Sequence, residues 1–263
     1  MNIRDYQLED GIFARSWETG SEQWCVLLHD ALGCVELWRD FPEKLAKHGG
    51  MNIFAYDRPG YGQSRDARNP RGFEYHDFEG RVRLPKVLQS AGIGRASVVG
   101  HSDGASMALC YAAAHPDRVS SLVVYGAHMD VDTVTTQGLK NMKDDVENAR
   151  EKIQKLERYH GKRAQLLYQQ WLEIWLDEEF VETFNLAPIL PRIESPCFIF
   201  QGETDEYADH DHPFRIKRAV GGNAQAVIVR QMGHFPHIEH PEMALGLVLA
   251  HLPLHKEGAH ADK

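Results

Sequence analysis

No stretch of this sequence approaches the ~18 consecutive apolar residues that a membrane-spanning helix requires. The opening MNIRDYQLEDG is polar and acidic and lacks the apolar segment of a signal peptide. Together these predict a cytoplasmic protein without membrane association. Basic runs are absent as well. A formal net charge of −9, with no Lys/Arg cluster or basic aromatic stripe, excludes nucleic acid as the expected partner. Cysteine is scarce: Cys25, Cys34, Cys110 and Cys197 are scattered without CxxC spacing, which predicts reduced, buried thiols rather than a disulfide framework. No repeat or low-complexity block interrupts the chain. Histidine is plentiful, at 15 residues, yet no HExxH or other zinc spacing occurs. The densest group, ADHDHP (208–213), sets His210 and His212 two apart, a spacing that shares a face only on a strand. No metal and no cofactor is expected.

What is present is a soluble, globular composition, 43% hydrophobic and 25% charged. Short apolar runs alternate with longer amphipathic segments, the pattern of βα units on a parallel sheet. WCVLLH (24–29), NIFAYD (52–57), ASVVG (96–100), SSLVVYGA (120–127), CFIFQG (197–202) and AVIVRQ (226–231) are the predicted strands. Helices are predicted over 36–49, over 73–91 with a kink or break at Pro85, over 105–116, and over roughly 237–251, and the tail HKEGAHADK is expected to be mobile. Residues 130–187 contain no strand-like run. They predict amphipathic helices broken at His160-Gly161, a lid over the carboxyl edge of the sheet. The expected organisation is therefore an α/β core of 1–129 and 188–263 with an inserted helical cap of 130–187.

The chemistry concentrates at Gly100-His101-Ser102-Asp103-Gly104, a Gly-x-Ser-x-Gly turn between a strand and an Ala-rich helix. So tight a turn lifts a hydroxyl above the sheet edge and sets it at a helix N-terminus, which favours negative charge. A serine hydroxyl needs a base. His234, in the loop after a late strand, is preferred to His237 and His240, which are expected at a helix start or on the surface. Asp205, just beyond a strand-ending glycine, is the candidate to orient that histidine. Asp209, Asp211 and Asp130 are alternatives, while Glu203 and Glu206 are expected to be solvated. The order Ser102, Asp205, His234 is that of α/β-hydrolases.

The chain resembles the α/β-hydrolase fold superfamily in its capped serine hydrolase form, over nearly its whole length. LLHDALG (27–33) resembles the family's His-Gly-x-x-Gly oxyanion loop, YDRPGYGQS (56–64) its Asp-x-Pro-Gly-x-Gly-x-Ser turn, and MGHFPHIEHPE (232–242) its Gly-His-x-x-x-x-Glu-x-Pro-Glu ending. The resemblance implies oxyanion donors at the backbone N–H groups of Ala31 and Asp103, each worth ~3–4 kcal/mol to a transition state. His29 is expected to shape its loop and Asp57 to hold its turn. Asp30 stands where the family has glycine, a residue that permits φ > 0. Serine at position 102 argues against haloalkane dehalogenases and epoxide hydrolases, whose nucleophile is aspartate.

The expected function is hydrolysis of a carboxylic ester or thioester (class 3.1.1) of a small, largely apolar substrate through an acyl-enzyme. Asp30, Trp38, His101, Trp171 and Trp175 are candidate pocket residues; Trp171 and Trp175 share a helix face. The alternatives are a carbon–carbon hydrolase of the meta-cleavage type and a non-hydrolytic or ligand-binding member of the fold. Meta-cleavage enzymes show Gly-Asn-Ser-Met-Gly and Gly-His-Trp, where this chain has Gly-His-Ser-Asp-Gly and Gly-His-Phe. Gly-x-Ser-Asp-Gly also resembles the turn of valacyclovir-hydrolase-like esterases. The side chain of Asp103 is expected either to brace the helix that follows it or to face the pocket with Asp30. In the second case a like charge at ~4 Å would be repelled by ~4 kcal/mol at a dielectric near 20, disfavouring anionic substrates unless an arginine compensates. The expected partner is a small molecule; oligomeric state is open.

Overall fold

A computed structural model describes residues 1–65 and 72–253. The predicted tail lies outside the described residues. The chain builds one eight-stranded sheet in the order β1-β2-β4-β3-β5-β6-β7-β8. Six strands are the predicted ones: β3 (Trp24–Leu28), β4 (Asn52–Tyr56), β5 (Ala96–His101), β6 (Val119–Tyr125), β7 (Cys197–Gly202) and β8 (Ala224–Val229), all mutually parallel. The other two, β1 (Asn2–Gln7) and β2 (Phe13–Glu18), run antiparallel at one edge and were not predicted. The reason is local. β1 is an edge strand exposed along most of its length, so it lacks the apolar signature of a buried strand.

Alternation along the strands separates two cores. Val98, Leu122 and Val124 face one side, with Ala105, Ala108 and Leu109 of α4 (Asp103–Ala114). Val99, Val123 and Tyr125 face the other, with Phe41 and Leu45 of α1 (Phe41–Gly49).

The predicted helix over 73–91 is α2 (Tyr75–Asp77), a π-helical stretch (Phe78–Arg83) and α3 (Leu84–Ser90) in direct succession. Pro85 widens the helix rather than ending it. It cannot bond the carbonyl of Arg81, and His115 Nε2 occupies that oxygen at 3.0 Å. Between β6 and β7 come α5 (Thr133–Asp144), α6 (Val146–His160), α7 (Ala164–Trp175) and α8 (Glu178–Thr183). Asp132, Asp145 and Asp177 cap three of them by accepting backbone N–H bonds. The α6–α7 break falls at Gly161, as the sequence predicts. After β7, α9 (His212–Val220) precedes β8. The predicted closing helix is split into α10 (Pro236–Glu239) and α11 (Pro241–Ala250), because Pro241 drives His240 out of the helical region. No helix among the described residues is long and apolar enough to cross a membrane.

Candidate active site

The carboxyl ends of the parallel strands deliver the candidate residues to one place, as is usual for such sheets. Ser102 follows β5 at φ 54°, a strained conformation for a residue with a Cβ. A Cβ on Gly104 would meet the carbonyl oxygens of Leu28 and His29, so only glycine lets the turn pack so closely on β3. His234 Nε2 lies 3.0 Å from Ser102 Oγ. Its Nδ1 donates to Asp205 at 2.9 and 3.0 Å. All three residues are buried. Burial alone pulls the His234 imidazole down; the Asp205 carboxylate, with Glu206 and Asp30, reverses this and leaves it above its ordinary value. Asp205 stays below the usual carboxylate range, held there against burial by His234 and the Tyr207 N–H.

Gly126, beyond β6, sits at φ 57°, and a Cβ there would fall 2.9 Å from His234 Cε1. Gly126→Ala is expected to cost about 1 kcal/mol or more in stability through its φ alone. It should also displace the imidazole and lower kcat about 10- to 100-fold. Thermal melts and steady-state kinetics on an ester check both effects.

The other sequence candidates have different partners. Asp130 pairs with Arg215 at 2.6 Å, Asp211 with Arg218 at 2.7 Å, and Glu203 accepts the Gln231 N–H. Asp132, Asp209 and His212 place ligand-type atoms together, but Arg215 occupies this cluster. Its guanidinium reaches Asp132 and Asp209 at 3.6 and 3.7 Å, and backbone N–H groups take Asp132 Oδ2 and His212 Nε2. The donors are thus already matched by a cation and by amides.

The candidate oxyanion loop follows β3. Among the described residues, the N–H groups of Ala31 and Asp103 have no protein acceptor, and both residues line the cavity above Ser102. Asp30 does not need the left-handed region, so the glycine expected there is dispensable for backbone reasons. Asp30 lines the cavity, its carboxylate accepts the Leu32 N–H at 3.3 Å, and burial raises its pKa. His29 accepts the Arg58 N–H at Nε2, which leaves Nδ1 to donate to the Asp30 carbonyl at 2.9 Å. Asp57 accepts the N–H groups of Val35 and Gln63, and burial raises it to about 6.

Asp103 neither caps its own helix nor presents a free charge to the pocket. Its carboxylate accepts the Tyr75 hydroxyl at 2.8 and 2.9 Å and His76 Nε2 at 3.1 Å, with Arg58 Nη2 4.0 Å away. Burial would raise its pKa; His76, Arg58 and Tyr75 prevail and hold it at about 2. The compensating arginine that an anionic substrate would require is therefore present, and Asp103 no longer argues against one.

The cavity has a volume of about 650 Å³. Asp30, Trp171 and Trp175 line it, with Leu32, Leu139 and Leu156. Trp38 and His101 do not. Trp38 is 2% exposed and packs on Phe41 and His237 beneath the loop, because its neighbours Leu37 and Arg39 take the cavity-facing positions. His101 is 1% exposed and lies under the turn, where Nε2 donates to the His234 carbonyl at 2.7 Å. His237 stands in the first turn of α10, one of its two expected places, and is buried. Burial lowers it to about 3, and its Nδ1 meets the Tyr125 hydroxyl at 3.2 Å. Sequence reasoning missed Arg58, Tyr75, His76 and His128. The last lines the cavity and is lowered to about 4 by burial. Arg58 alone left a signal, a charged residue inside the turn that resembles the family's Asp-x-Pro-Gly-x-Gly-x-Ser motif. Tyr75 and His76 lie in an unmarked helix start.

The chain is 29% identical to the serine hydrolase BPHL of Homo sapiens, across 81% of this chain and 74% of that protein. It is 28% identical to a 2-hydroxy-6-oxononadienedioate/2-hydroxy-6-oxononatrienedioate hydrolase of Burkholderia vietnamiensis, across 89% and 88%. Among solved structures, the 2-hydroxy-6-oxo-6-phenylhexa-2,4-dienoate hydrolase of Rhodococcus sp. strain RHA1 superposes with a TM-score of 0.77 at 16% identity, across 95% of this chain and 98% of that one, and so shares the fold. The profile of the alpha/beta hydrolase fold family matches residues 24–163, more than half the chain. With an eight-stranded, mostly parallel sheet and a serine turn after β5, the chain belongs to the alpha/beta hydrolase fold family.

Proposed function

We propose that the protein hydrolyses a carboxylic ester or thioester of a small, largely apolar compound through an acyl-enzyme on Ser102. The observation that carries this is the continuous chain from Ser102 Oγ through His234 to Asp205, at 3.0 and 2.9 Å, beside two unpartnered N–H groups. Ser102 attacks the carbonyl carbon while His234 takes its proton, and Asp205 holds the imidazole tautomer and stabilises the imidazolium. The tetrahedral oxyanion lies on the N–H groups of Ala31 and Asp103. Collapse expels the alcohol or thiol, which leaves with the His234 proton, and His234 then activates water to release the acid. The helices of 130–187 act as a cap: α5 to α7 supply Leu139, Leu156, Trp171 and Trp175 as an apolar wall that excludes water from this chemistry.

One observation favours a second reading, hydrolysis of a carbon–carbon bond in an anionic substrate. Arg39, Lys152 and Arg158 line the same cavity. The half-buried Lys152 ammonium lies 3.1 Å from Met142 Sδ and has no carboxylate within ion-pair distance among the described residues. Burial accordingly lowers its pKa. A substrate carboxylate would complete that charge, and the Burkholderia relative is named for a dioate.

A panel of p-nitrophenyl and thioesters, some ending in a methyl group and some in a carboxylate, tests both readings alongside a dienoate. The expected result is turnover of esters, with Lys152→Met lowering kcat/KM for carboxylate-ended members by about tenfold and sparing neutral ones. Turnover of the dienoate alone would overturn the ester assignment.

A further inference from the structure

Neither N–H group of the oxyanion hole has a side chain to aim it. A backbone N–H is aimed by whatever holds the other end of its own peptide plane, because the unit is planar and trans and its C=O and N–H point in opposite directions. For Ala31 N–H that other end is the Asp30 carbonyl. It accepts Arg58 Nη2 at 2.6 Å, His29 Nδ1 at 2.9 Å and the Gly33 N–H at 3.1 Å, and the arginine's is the shortest and the only charged contact of the three. Arg58 Nη1 meanwhile takes the preceding carbonyl, that of His29, at 2.8 Å. The guanidinium fork thus grips two consecutive carbonyls of the loop.

The fork is itself immobilised. Arg58 is 4% exposed, its guanidinium lies 4.7 Å from the Tyr61 ring centroid, and its main-chain N–H is bonded to His29 Nε2 at 3.2 Å. Charge-assisted bonds of this length are among the stronger ones. Three donors on one carbonyl also polarise the amide, which strengthens its N–H as a donor. The same guanidinium stands 4.0 Å from the carboxylate of Asp103, the residue that supplies the second N–H. One buried cation therefore touches both halves of the hole.

We propose that Arg58 is the positioning residue of the oxyanion hole: it fixes the Asp30–Ala31 peptide so that Ala31 N–H meets the developing oxyanion, and it balances the Asp103 carboxylate beside that charge. This inference rests on the hydrolytic reading above. Both effects grow as the carbonyl oxygen becomes negative, so they act on kcat and leave KM nearly unchanged.

Arg58→Lys keeps a cation but loses the fork, and Arg58→Gln loses both. They are compared on p-nitrophenyl butyrate and on a trifluoromethyl ketone of the same acyl chain, whose adduct with Ser102 carries the oxyanion. Deleting one oxyanion donor outright costs about 100- to 1,000-fold. Misaiming one is expected to cost about 30- to 100-fold in kcat, with KM within about threefold and the ketone's inhibition constant raised by the same factor as kcat falls. In Arg58→Lys, which keeps the cation, the acid limb of the kcat/KM profile should stay in place, because the charges that raise His234 are those of Asp205, Glu206 and Asp30. A folded variant with wild-type kcat, or a loss of kcat without a matching loss of ketone affinity, overturns the proposal. If both variants unfold, His29→Phe removes a second side-chain donor from the Asp30 carbonyl and leaves the Gly33 N–H. It should lower kcat and ketone affinity together by about three- to tenfold, and unchanged values overturn the proposal. Fluorophosphonate labelling of the wild type separates the two levels. A labelled enzyme indifferent to Arg58 refutes the positioning role alone. An unlabelled enzyme without ester turnover refutes the hydrolytic reading, and this inference with it.

Discussion

Ser102→Ala is expected to lower kcat by about 10⁴- to 10⁶-fold and to abolish fluorophosphonate labelling, while the protein stays folded. The hydroxyl makes one side-chain hydrogen bond, to His234 Nε2 at 3.0 Å, so stability should change by only about 1 kcal/mol. Alanine meets the same strain as serine at φ 54°, because both carry a Cβ. What remains after the substitution is the proposed oxyanion hole and the cavity, which would hold a substrate without forming the acyl-enzyme. Stopped-flow traces of p-nitrophenyl ester hydrolysis and intact mass after the probe give the two readouts. Retention of more than about 1% of wild-type kcat, or probe mass on the variant, would remove Ser102 from the nucleophile role.

Asp205→Asn is expected to lower kcat by about 10⁴-fold, because the amide stabilises the wrong tautomer of His234 and no longer stabilises the imidazolium. It also carries a signature in pH. His234 must be neutral to act as a base, so kcat/KM rises with pH through the pKa of its conjugate acid. In the wild type burial lowers that pKa and the nearby carboxylates more than restore it, so the acid limb should lie above 6.5. In the variant desolvation persists while the largest opposing charge and its hydrogen bond are gone. The limb should therefore move down, below 6.5. Profiles from pH 4 to 9 on both proteins decide this. A limb that stays in place would point to another acid, with Glu206 the first to examine because it also raises His234.

Arg58 shows where sequence reasoning stops. In the sequence, Asp30 and Asp103 stand out as two unexplained carboxylates beside a presumed oxyanion site, and the natural inference is a pocket hostile to anions. In the structure Arg58, Tyr75 and His76 converge on Asp103 from the β4 loop and from α2. The sign of the field at Ser102 depends on that convergence, and no residue spacing announces it. Trp38 and His101 make the same point in reverse. Both lie within or next to site motifs, yet both turn inward to pack, and only the tertiary contacts distinguish lining from support.

The parallel strands, the serine turn, the helical segment between β6 and β7 and the positions of Asp205 and His234 were legible because each rests on short-range physics. Apolar runs mark strands buried on both faces, glycines mark a turn too tight for a Cβ, and aspartates mark helix starts. Strand order, the edge pair β1–β2, the partner of each buried charge and the donors on the Asp30 carbonyl were decided by tertiary structure. These depend on which distant segments meet once the two cores close. A buried carboxylate or carbonyl takes its meaning from the donor placed against it, and that donor can come from anywhere in the chain.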